Sequence, residues 1–457
     1  MKVQLITLGC SKNRVDSEHL LCQLAASGIE ICPEEASFAP GGADVVILNT
    51  CGFIADAKQE SIDAILQAVE AKKQGFVKRV YAFGCLSQRY PAELRAEIPE
   101  VDGFFGANDF RGLLAALGVK YSPALEFRRR LTTPRHYAYL KISEGCDRAC
   151  SYCAIPGIRG GHVSVDMDAL ADEASSLAEG GVKELIVVAQ DTTYYGLDLY
   201  RKRMIAPLLD RLSQIKGIEW IRLHYSYPEA FPEDLLDLMA VNPKICKYID
   251  IPLQHCDKKV LGMMRRPSDE AQMRALVEKF RTKVPGVALR TTMIVGHPGE
   301  TEREFKRLLK YVEDMRFERL GAFTYSEEEG TYGALNFKDT VPERVKQERY
   351  DRLMELQSGI SLAYNTSRIG SEERVIVDSF EDGNLFCRTS KESPEVDGQV
   401  IIPLKTVPVD ILGTFVNVRI TNADHYDLYG NIELCRTLEP EGRRVSPFPG
   451  GRDLGMG

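Results

Sequence analysis

The chain has 457 residues, of which 44% are hydrophobic and 27% are charged, and its formal net charge is −8. The length suggests about three domains, and the composition is that of a globular protein with an ample core, which excludes a disordered or fibrous chain. The acidic balance provides no overall attraction to nucleic-acid phosphates, but it would attract a basic protein.

The N terminus and the apolar runs argue against export and against membrane insertion. Met1 leads directly into a strand-like segment, without the charged and apolar regions of a signal peptide. No apolar run approaches the roughly 18 residues of a membrane span. Twelve cysteines in so long a chain do not resemble a small disulfide-rich scaffold. We therefore expect a cytoplasmic protein without membrane contact, whose reduced thiols are free to bind metal.

Strand-like and helical segments alternate in residues 1–117. Three apolar runs predict strands, at residues 3–8, 45–48 and 80–83, and residues 16–26 and 55–73 have helical patterns. This alternation predicts an N-terminal, doubly wound parallel α/β domain.

A cysteine follows each of these three strands within three residues: Cys10, Cys51 and Cys85. The C-terminal ends of parallel strands meet at one rim of the sheet, where ligands gather. We therefore expect the three thiols to lie together as a metal site. The alternative is that they are ordinary buried cysteines, which behave as small apolar residues.

Residues 119–137 have the character of a linker, with Pro123, Pro134 and the basic triplet at residues 128–130. Such a run of charge is typical of a solvated face, and it could also contact a partner.

Residues 132–364 repeat a strand–helix pattern six times. The strand-like runs are residues 139–143, 184–189, 220–224, 248–253, 288–295 and 319–325, and the helical stretches include residues 168–179, 229–240, 269–283 and 302–315. Six such units without hairpin signals predict a (β/α)6 barrel or partial barrel, with its chemistry at the C-terminal ends of the strands.

A second group of cysteines follows the first of these strands, where an active site is expected. Cys146, Cys150 and Cys153 have C-x3-C-x2-C spacing, so one loop could hold one metal centre with three thiolates. No fourth ligand follows at zinc-finger spacing, and a ferredoxin cluster would need four cysteines. An iron–sulfur cubane held by three cysteines would keep one iron open. Three glycines would let backbone approach such a group: Gly157, Gly160 and Gly161. The alternatives are three structural thiols, or a zinc loop completed by a distant ligand.

Residues 366–437 change to short runs separated by turn signals. The runs at residues 374–378, 385–388, 400–403, 414–420 and 428–434 predict a small five-stranded antiparallel β-barrel of the OB-like kind. Residues 367–436 contain 7 Lys or Arg and 12 Asp or Glu, a net charge of −5, which suits a basic protein better than a phosphate backbone. We expect the tail from Glu439 to be disordered.

The motif at residues 146–153, with Tyr152 before the last cysteine, resembles the signature of the radical S-adenosylmethionine (SAM) enzymes. In that family three cysteines hold a 4Fe–4S cluster that binds SAM, and one-electron reduction cleaves SAM to a 5′-deoxyadenosyl radical. The resemblance implies that Tyr152 lies beside SAM. It also suggests SAM contacts for Gln190 and Asp191, which stand where the family has Gly-Gly-Glu, and for Gly296 in a glycine-rich segment. A polar loop and an ordinary turn explain these last positions equally well.

The C-terminal segment resembles the TRAM domain, and the three parts together resemble the methylthiotransferases. The motifs at residues 10–18, 49–54, 190–196 and 251–255 are similar to the RimO branch. That branch adds a methylthio group to the β-carbon of an aspartate in small-subunit ribosomal protein twelve.

The resemblance implies two 4Fe–4S clusters and SAM as cofactors. A radical-generating cluster would be held by Cys146, Cys150 and Cys153, and a sulfur-carrying cluster by Cys10, Cys51 and Cys85. The implied partners are the ribosomal protein as substrate, an electron donor that is a reductase or flavodoxin-like, and the ribosome or its rRNA. One alternative is a tRNA adenosine methylthiotransferase of the MiaB type. Another is an iron–sulfur protein of the ribosome or RNA whose clusters are structural and do not turn over.

Overall fold

The computed structural model describes residues 1–404 and 410–432, in which three main sheets follow one another along the chain. The tail expected to be disordered, from Glu439, lies outside the described residues, as do the last two residues of the run predicted at 428–434. Among the helices of the described part, none combines the length and the apolar character needed to cross a membrane.

The first sheet has five parallel strands in the order β2-β1-β3-β4-β5. Its strands are β1 (Lys2–Thr7), β2 (Glu30–Ile31), β3 (Val45–Thr50), β4 (Arg79–Gly84) and β5 (Gly103–Phe105). Its helices are α1 (Ser11–Ala26), α2 (Ala55–Lys73), α3 (Cys85–Arg89), α4 (Pro91–Glu97) and α5 (Phe110–Ala116). This strand order is that of flavodoxin-like sheets.

Helices cover both faces of this first sheet. Val45 and Ile47 of β3 pack with residues of α1 and α5, whereas Val46 and Leu48 pack with residues of α2 and α4. Alternate residues of one strand thus enter two different cores, as in a sheet buried on both sides. The predicted doubly wound domain is confirmed.

Helix α1 begins earlier than the sequence predicts, at Ser11 instead of Asp16. The added turn contains Lys12 and Asn13, which are polar although they are buried. A turn that buries polar side chains has no hydrophobic periodicity, so the sequence pattern did not reveal it.

The second sheet has six parallel strands in the order β13-β12-β11-β10-β9-β6. The strands are β6 (Tyr137–Lys141), β9 (Glu184–Val188), β10 (Trp220–Leu223), β11 (Ile245–Asp250), β12 (Ala288–Val295) and β13 (Arg319–Thr324), and β7 (Ser143–Glu144) and β8 (Val163–Ser164) form a separate ribbon. In the described residues the two end strands do not pair, so the predicted six-stranded partial barrel is confirmed.

Ten α-helices accompany the second sheet in the described residues. They are α6 (Ile155–Arg159), α7 (Met167–Glu179), α8 (Leu197–Tyr200), α9 (Ile205–Ser213), α10 (Glu233–Val241), α11 (Lys258–Met263), α12 (Glu270–Lys283), α13 (Glu302–Met315), α14 (Tyr332–Asn336) and α15 (Glu343–Ser367). Helix α10 begins four residues later than predicted, directly after Pro232, because proline favours a helix start and lacks the N–H that an earlier turn would use. The 25-residue helix α15, which leads to the third sheet, was not predicted.

The third sheet is a closed barrel in the order β14-β15-β16-β18-β17. Its strands are β14 (Glu372–Glu381), β15 (Asn384–Thr389), β16 (Val400–Pro403), β17 (Phe415–Ala423) and β18 (Leu428–Ile432). Four pairings are antiparallel, as predicted, but β16 and β18 pair in parallel. The small five-stranded barrel is confirmed, with this one difference in strand direction.

The loop between β15 and β16 extends from the barrel onto the inner face of the second sheet. Glu395 accepts hydrogen bonds from the hydroxyls of Tyr137 at 3.2 Å and Tyr139 at 3.0 Å. Asp397 accepts one from the hydroxyl of Tyr248 at 2.7 Å. Part of the barrel's acidic charge therefore binds the protein's own second sheet and does not face a partner.

The basic triplet of the linker is not a solvated face throughout. The side chain of Arg129 is fully buried and pairs with Glu18 of α1 and Glu173 of α7. Arg129 therefore connects a helix of the first sheet to a helix of the second through buried ion pairs.

Candidate functional site

The three-cysteine loop lies at the C-terminal end of β6, where the sequence places it. Burial is the main reason that the pKa of Cys146 is raised to about 11 and that of Cys153 to about 12, and the neighbouring thiols contribute to both shifts. Such thiols remain protonated until a cation takes the place of their protons. The loop thus brings together three soft donors in a setting that suits a bound metal centre.

A close backbone contact fixes the start of this loop. Gly145 has φ of +71°, and a Cβ at this position would lie 2.0 Å from the carbonyl oxygen of Gly161 and 2.6 Å from that of Gly160. Of the three glycines expected to admit an inorganic group, Gly160 and Gly161 thus pack against Gly145, whereas Gly157 has no atom within 4 Å of the position of its missing Cβ.

The substitution Gly145→Ala is expected to displace Cys146 and to remove the iron held by this loop. If the protein carries two 4Fe–4S clusters, with about eight irons, the variant should retain about four. Iron analysis of anaerobically prepared protein measures this. Gly359→Ala, in α15, is the control because its added methyl group meets no atom within 4 Å. Equal iron content in wild type and Gly145→Ala would contradict the prediction.

The other predicted triad is also brought together. Cys10, Cys51 and Cys85 stand at the C-terminal ends of β1, β3 and β4, which are neighbours in the first sheet. Burial is the main reason that the pKa of Cys51 is raised to about 11, and Cys10 and Cys85 are near enough to contribute to the shift. Their position at strand ends thus indicated that the three residues are neighbours, although 41 and 34 positions separate them in the sequence.

Both triads offer sulfur alone, which is the donor set that iron–sulfur clusters prefer. Within the described residues, no three His, Cys, Asp or Glu side chains are arranged to hold a single metal ion. The residues of both triads fit a polynuclear cluster with three protein ligands.

A buried arginine that was not predicted contacts Cys150 of the three-cysteine loop. The guanidinium of Arg266 lies 3.9 Å from Cys150 Sγ and 3.4 Å from the hydroxyl of Tyr152, and it stacks 4.4 Å from the ring centre of Tyr227. Burial raises the pKa of Tyr152 well above its usual range, although Arg266 opposes this. Arg266 lies 113 residues from Cys153 in sequence, so no local motif indicated it.

The two residues predicted after β9 have different surroundings. Asp191 is already paired, because it accepts hydrogen bonds from Arg148 Nε at 2.9 Å and from the backbone N–H of Thr193 at 3.0 Å. Gln190 donates from Nε2 to Glu144 Oε1 at 3.0 Å, but its own Oε1 is buried without a hydrogen-bond partner. Gln190 therefore presents an unused acceptor.

Gly296 directly follows β12 and has φ of +76°, and a Cβ there would lie 2.4 Å from Cγ of Lys346 in α15. Its N–H donates to Glu300 Oε1 at 3.1 Å. This glycine is required by close packing, whatever else it contacts.

Two clefts border the three-cysteine loop. One, of about 730 Å³, is lined by all three cysteines of the loop and by residues of α3. The other, of about 640 Å³, lies between the segment that follows Cys51 and the second sheet. Its lining includes Phe53, Tyr152, Gln254 and Phe323. There is thus open space both at the loop and between the first two sheets.

Three family models match successive parts of the chain. The Uncharacterized protein family UPF0004 matches residues 2–106, the Radical SAM superfamily matches residues 140–312, and the TRAM domain matches residues 369–432. Each match covers one of the three main sheets or most of it.

Solved structures agree on the fold. The radical SAM methyltransferase TsrM from Kitasatospora setae, with cobalamin and a [4Fe-4S] cluster bound, aligns with a TM-score of 0.56 over 90% of this chain and 80% of its own. A second structure of TsrM, with its tryptophan substrate and a SAM analogue, gives a TM-score of 0.53 over 70% and 72%. The sequence identities are 13% and 16%, so these neighbours establish the architecture alone.

Curated relatives match nearly the whole chain. Proteins named ribosomal protein uS12 methylthiotransferase RimO are 51% identical in Porphyromonas gingivalis and in Cytophaga hutchinsonii, and 50% identical in Flavobacterium johnsoniae. Each alignment covers 94% of this chain and 97–99% of the relative. The chain therefore belongs to the RimO family of radical SAM methylthiotransferases, enzymes that work with SAM and two 4Fe–4S clusters.

Proposed function

We propose that this enzyme adds a methylthio group to the β-carbon of an aspartate in ribosomal protein uS12. The observation that carries the proposal is the identity of about half of all residues, over nearly the full length, with relatives that bear the uS12 name. The relatives quoted above all bear that name, so the tRNA-modifying alternative has no comparable support.

The target carbon explains why two metal sites are needed. A β-carbon bonded to hydrogen has no leaving group, so polar catalysis has little to act on. When bound, the two clusters and SAM supply a radical that removes hydrogen, and the sulfur and methyl group that replace it. The task of the protein is to hold these groups close together and to exclude water.

The proposed ligands of the radical-generating cluster are Cys146, Cys150 and Cys153. Those of the auxiliary, sulfur-carrying cluster are Cys10, Cys51 and Cys85. The convergence of each triad supports this assignment.

For the SAM contacts, we assign Tyr152 and Gln190 the main roles. The unused acceptor of Gln190 suits a donor such as the SAM amine better than Asp191 does, since Asp191 is paired with Arg148. Gly296 is assigned to the wall of the SAM site. The proposed functional units are residues 1–117, 132–364 and 366–437, for the auxiliary cluster, the radical chemistry and the TRAM barrel.

A basic ribosomal protein suits the acidic charge that the barrel retains at its surface. Glu381, the last residue of β14, and Asp382, in the turn that leads to β15, are both exposed. We propose that the enzyme meets uS12 in the cytoplasm, as the free protein or on the ribosome with rRNA nearby, and that a reductase or flavodoxin-like protein supplies the electron.

The test compares two products in a strain from which the gene is deleted. Mass spectra of uS12 should lose the mass of the methylthio group on one aspartate, whereas methylthiolated tRNA nucleosides should remain at the wild-type level. Expression of the wild-type gene should restore the uS12 modification. A loss confined to tRNA would exclude the proposed substrate.

A further inference from the structure

Arg159 connects the two cysteine triads. It is the last residue of α6, six positions after Cys153, and only 4% of its surface is exposed. Its Nε donates to Cys85 Sγ at 3.2 Å. The loop that holds one triad thus places a positive charge against a thiol of the other.

The remaining guanidinium donors hold Arg159 in this orientation. Nη1 donates to Asp16 Oδ2 at 2.9 Å and to Glu144 Oε2 at 3.2 Å, and Nη2 donates to Asn13 Oδ1 at 2.6 Å. Asp16 and Asn13 belong to α1, which begins directly after Cys10, and Glu144 lies two residues before Cys146. The guanidinium is therefore held both by α1 of the first domain and by Glu144 beside the three-cysteine loop, and its Nε donates to sulfur.

Among residues 1–404 and 410–432, no contact of this strength reaches the other triad. Arg266 Nη1 is 3.9 Å from Cys150 Sγ, and Cys146 Sγ accepts a backbone N–H at 3.4 Å. Hydrogen bonds from ionised donors are about twice as strong as neutral ones. Both thiol contacts come from guanidinium groups, so the shorter one at Cys85 is the stronger, and it distinguishes the two sites electrostatically.

We propose that Arg159 is a positioning residue that raises the reduction potential of the auxiliary cluster through Cys85 and fixes that cluster relative to the radical-generating loop. This inference rests on the proposed assignment of Cys85 as a cluster ligand. Hydrogen bonds to cysteine sulfur withdraw electron density and stabilise the more negative, reduced cluster, so they raise the potential. Arg159 does so from the loop of the partner site, which couples the geometry of one cluster to the electronics of the other.

Arg159→Lys is the first variant to test, because it keeps the charge between Asp16 and Glu144 but removes the Nε donor. The measurement is an EPR-monitored redox titration of anaerobically reconstituted full-length protein. A background in which Cys146, Cys150 and Cys153 are all alanine isolates the auxiliary cluster. We expect Arg159→Lys to keep the full iron content of the auxiliary cluster and to make the midpoint potential of that cluster more negative. Arg159→Gln should shift this potential further in the same direction.

Arg129→Lys is the matched control. Arg129 is equally buried and bridges the same two sheets through Glu18 and Glu173, and the contacts described for it include no thiol. Arg129→Lys should leave the midpoint potential of the auxiliary cluster unchanged. A second control uses the background in which Cys10, Cys51 and Cys85 are alanine, so that only the radical-generating cluster remains. In this background Arg159→Lys should leave the midpoint potential of that cluster unchanged.

An unchanged auxiliary potential in Arg159→Lys with full iron, or an equal shift in Arg129→Lys, would overturn the proposal. If Arg159→Gln loses the cluster, the lysine variant still decides the question. The titration does not involve uS12, so failure to modify uS12 would refute the proposed substrate and leave the role of Arg159 standing.

Discussion

Cys150→Ala is expected to abolish the formation of 5′-deoxyadenosine from SAM, and with it all methylthiolation. Cys150 is the central member of the three-cysteine loop, and two protein ligands would not retain a cluster that already has only three. Cys51→Ala is expected to stop methylthiolation but to leave SAM cleavage near the wild-type rate, because Cys51 belongs to the triad on the other sheet. Chromatography with mass detection, under anaerobic reducing conditions, measures both products.

Cys22→Ala provides the control for removing a thiol from this chain. Cys22 lies on α1, the helix that follows Cys10, but it belongs to neither triad. Both products should remain at wild-type levels in that variant. If Cys51→Ala lost SAM cleavage as fully as Cys150→Ala, the division of labour between the two triads would be wrong. An iron–sulfur protein without turnover would produce no 5′-deoxyadenosine even as wild type.

The parts of the site that local patterns encode were predictable from the sequence. Alternating strands and helices fixed the type of sheet, and the position of each cysteine just after a strand then placed Cys10, Cys51 and Cys85 at one rim. The bounds predicted for α2 and α13 agree with the structure at both ends. These helices have apolar residues on one face and polar residues on the other, which is the signal that sequence reading detects.

Contacts between distant segments were not predictable in this way. Arg129, Arg159 and Arg266 are buried cations whose partners lie far away in sequence, and a charged residue read locally is assigned to the surface. The loop between β15 and β16 reads as an ordinary acidic turn, yet Glu395 and Asp397 bind tyrosines of the second sheet. Their roles depend on how the sheets dock, for which a single sequence has no periodic signal.

The docking of the third sheet on the second depends on a buried ion network centred on Glu184. This carboxylate, at the start of β9, accepts from Arg222 Nε at 2.9 Å and from Arg388 Nη1 of the barrel at 2.7 Å. Arg388 also pairs with Asp378 of β14. Burial opposes ionisation of Glu184, but the two guanidiniums outweigh it and lower the pKa of this carboxyl below its ordinary value.

Glu184→Gln is therefore expected to lower the free energy of unfolding by about 3–5 kcal/mol, because it removes one partner and leaves buried guanidiniums undercompensated. Urea denaturation, followed together with proteolysis between α15 and β14, measures the loss and shows whether the barrel detaches first. Glu219→Gln is the matched control, since Glu219 pairs with Arg374 at 3.0 Å between the same two sheets but with both side chains about half exposed. It should cost at most about 1 kcal/mol.

The pH dependence gives an independent check of the charge on Glu184. A carboxyl whose folded pKa is depressed contributes its stabilisation fully above the unfolded pKa, about 4.3 for glutamate, and loses it as the pH falls through the folded value. The difference between wild type and Glu184→Gln should therefore stay constant between about pH 6 and 8. A difference that fell steadily as the pH rose across this range would mean that the folded pKa of Glu184 lies within it, and that the two arginines do not hold the carboxyl ionised.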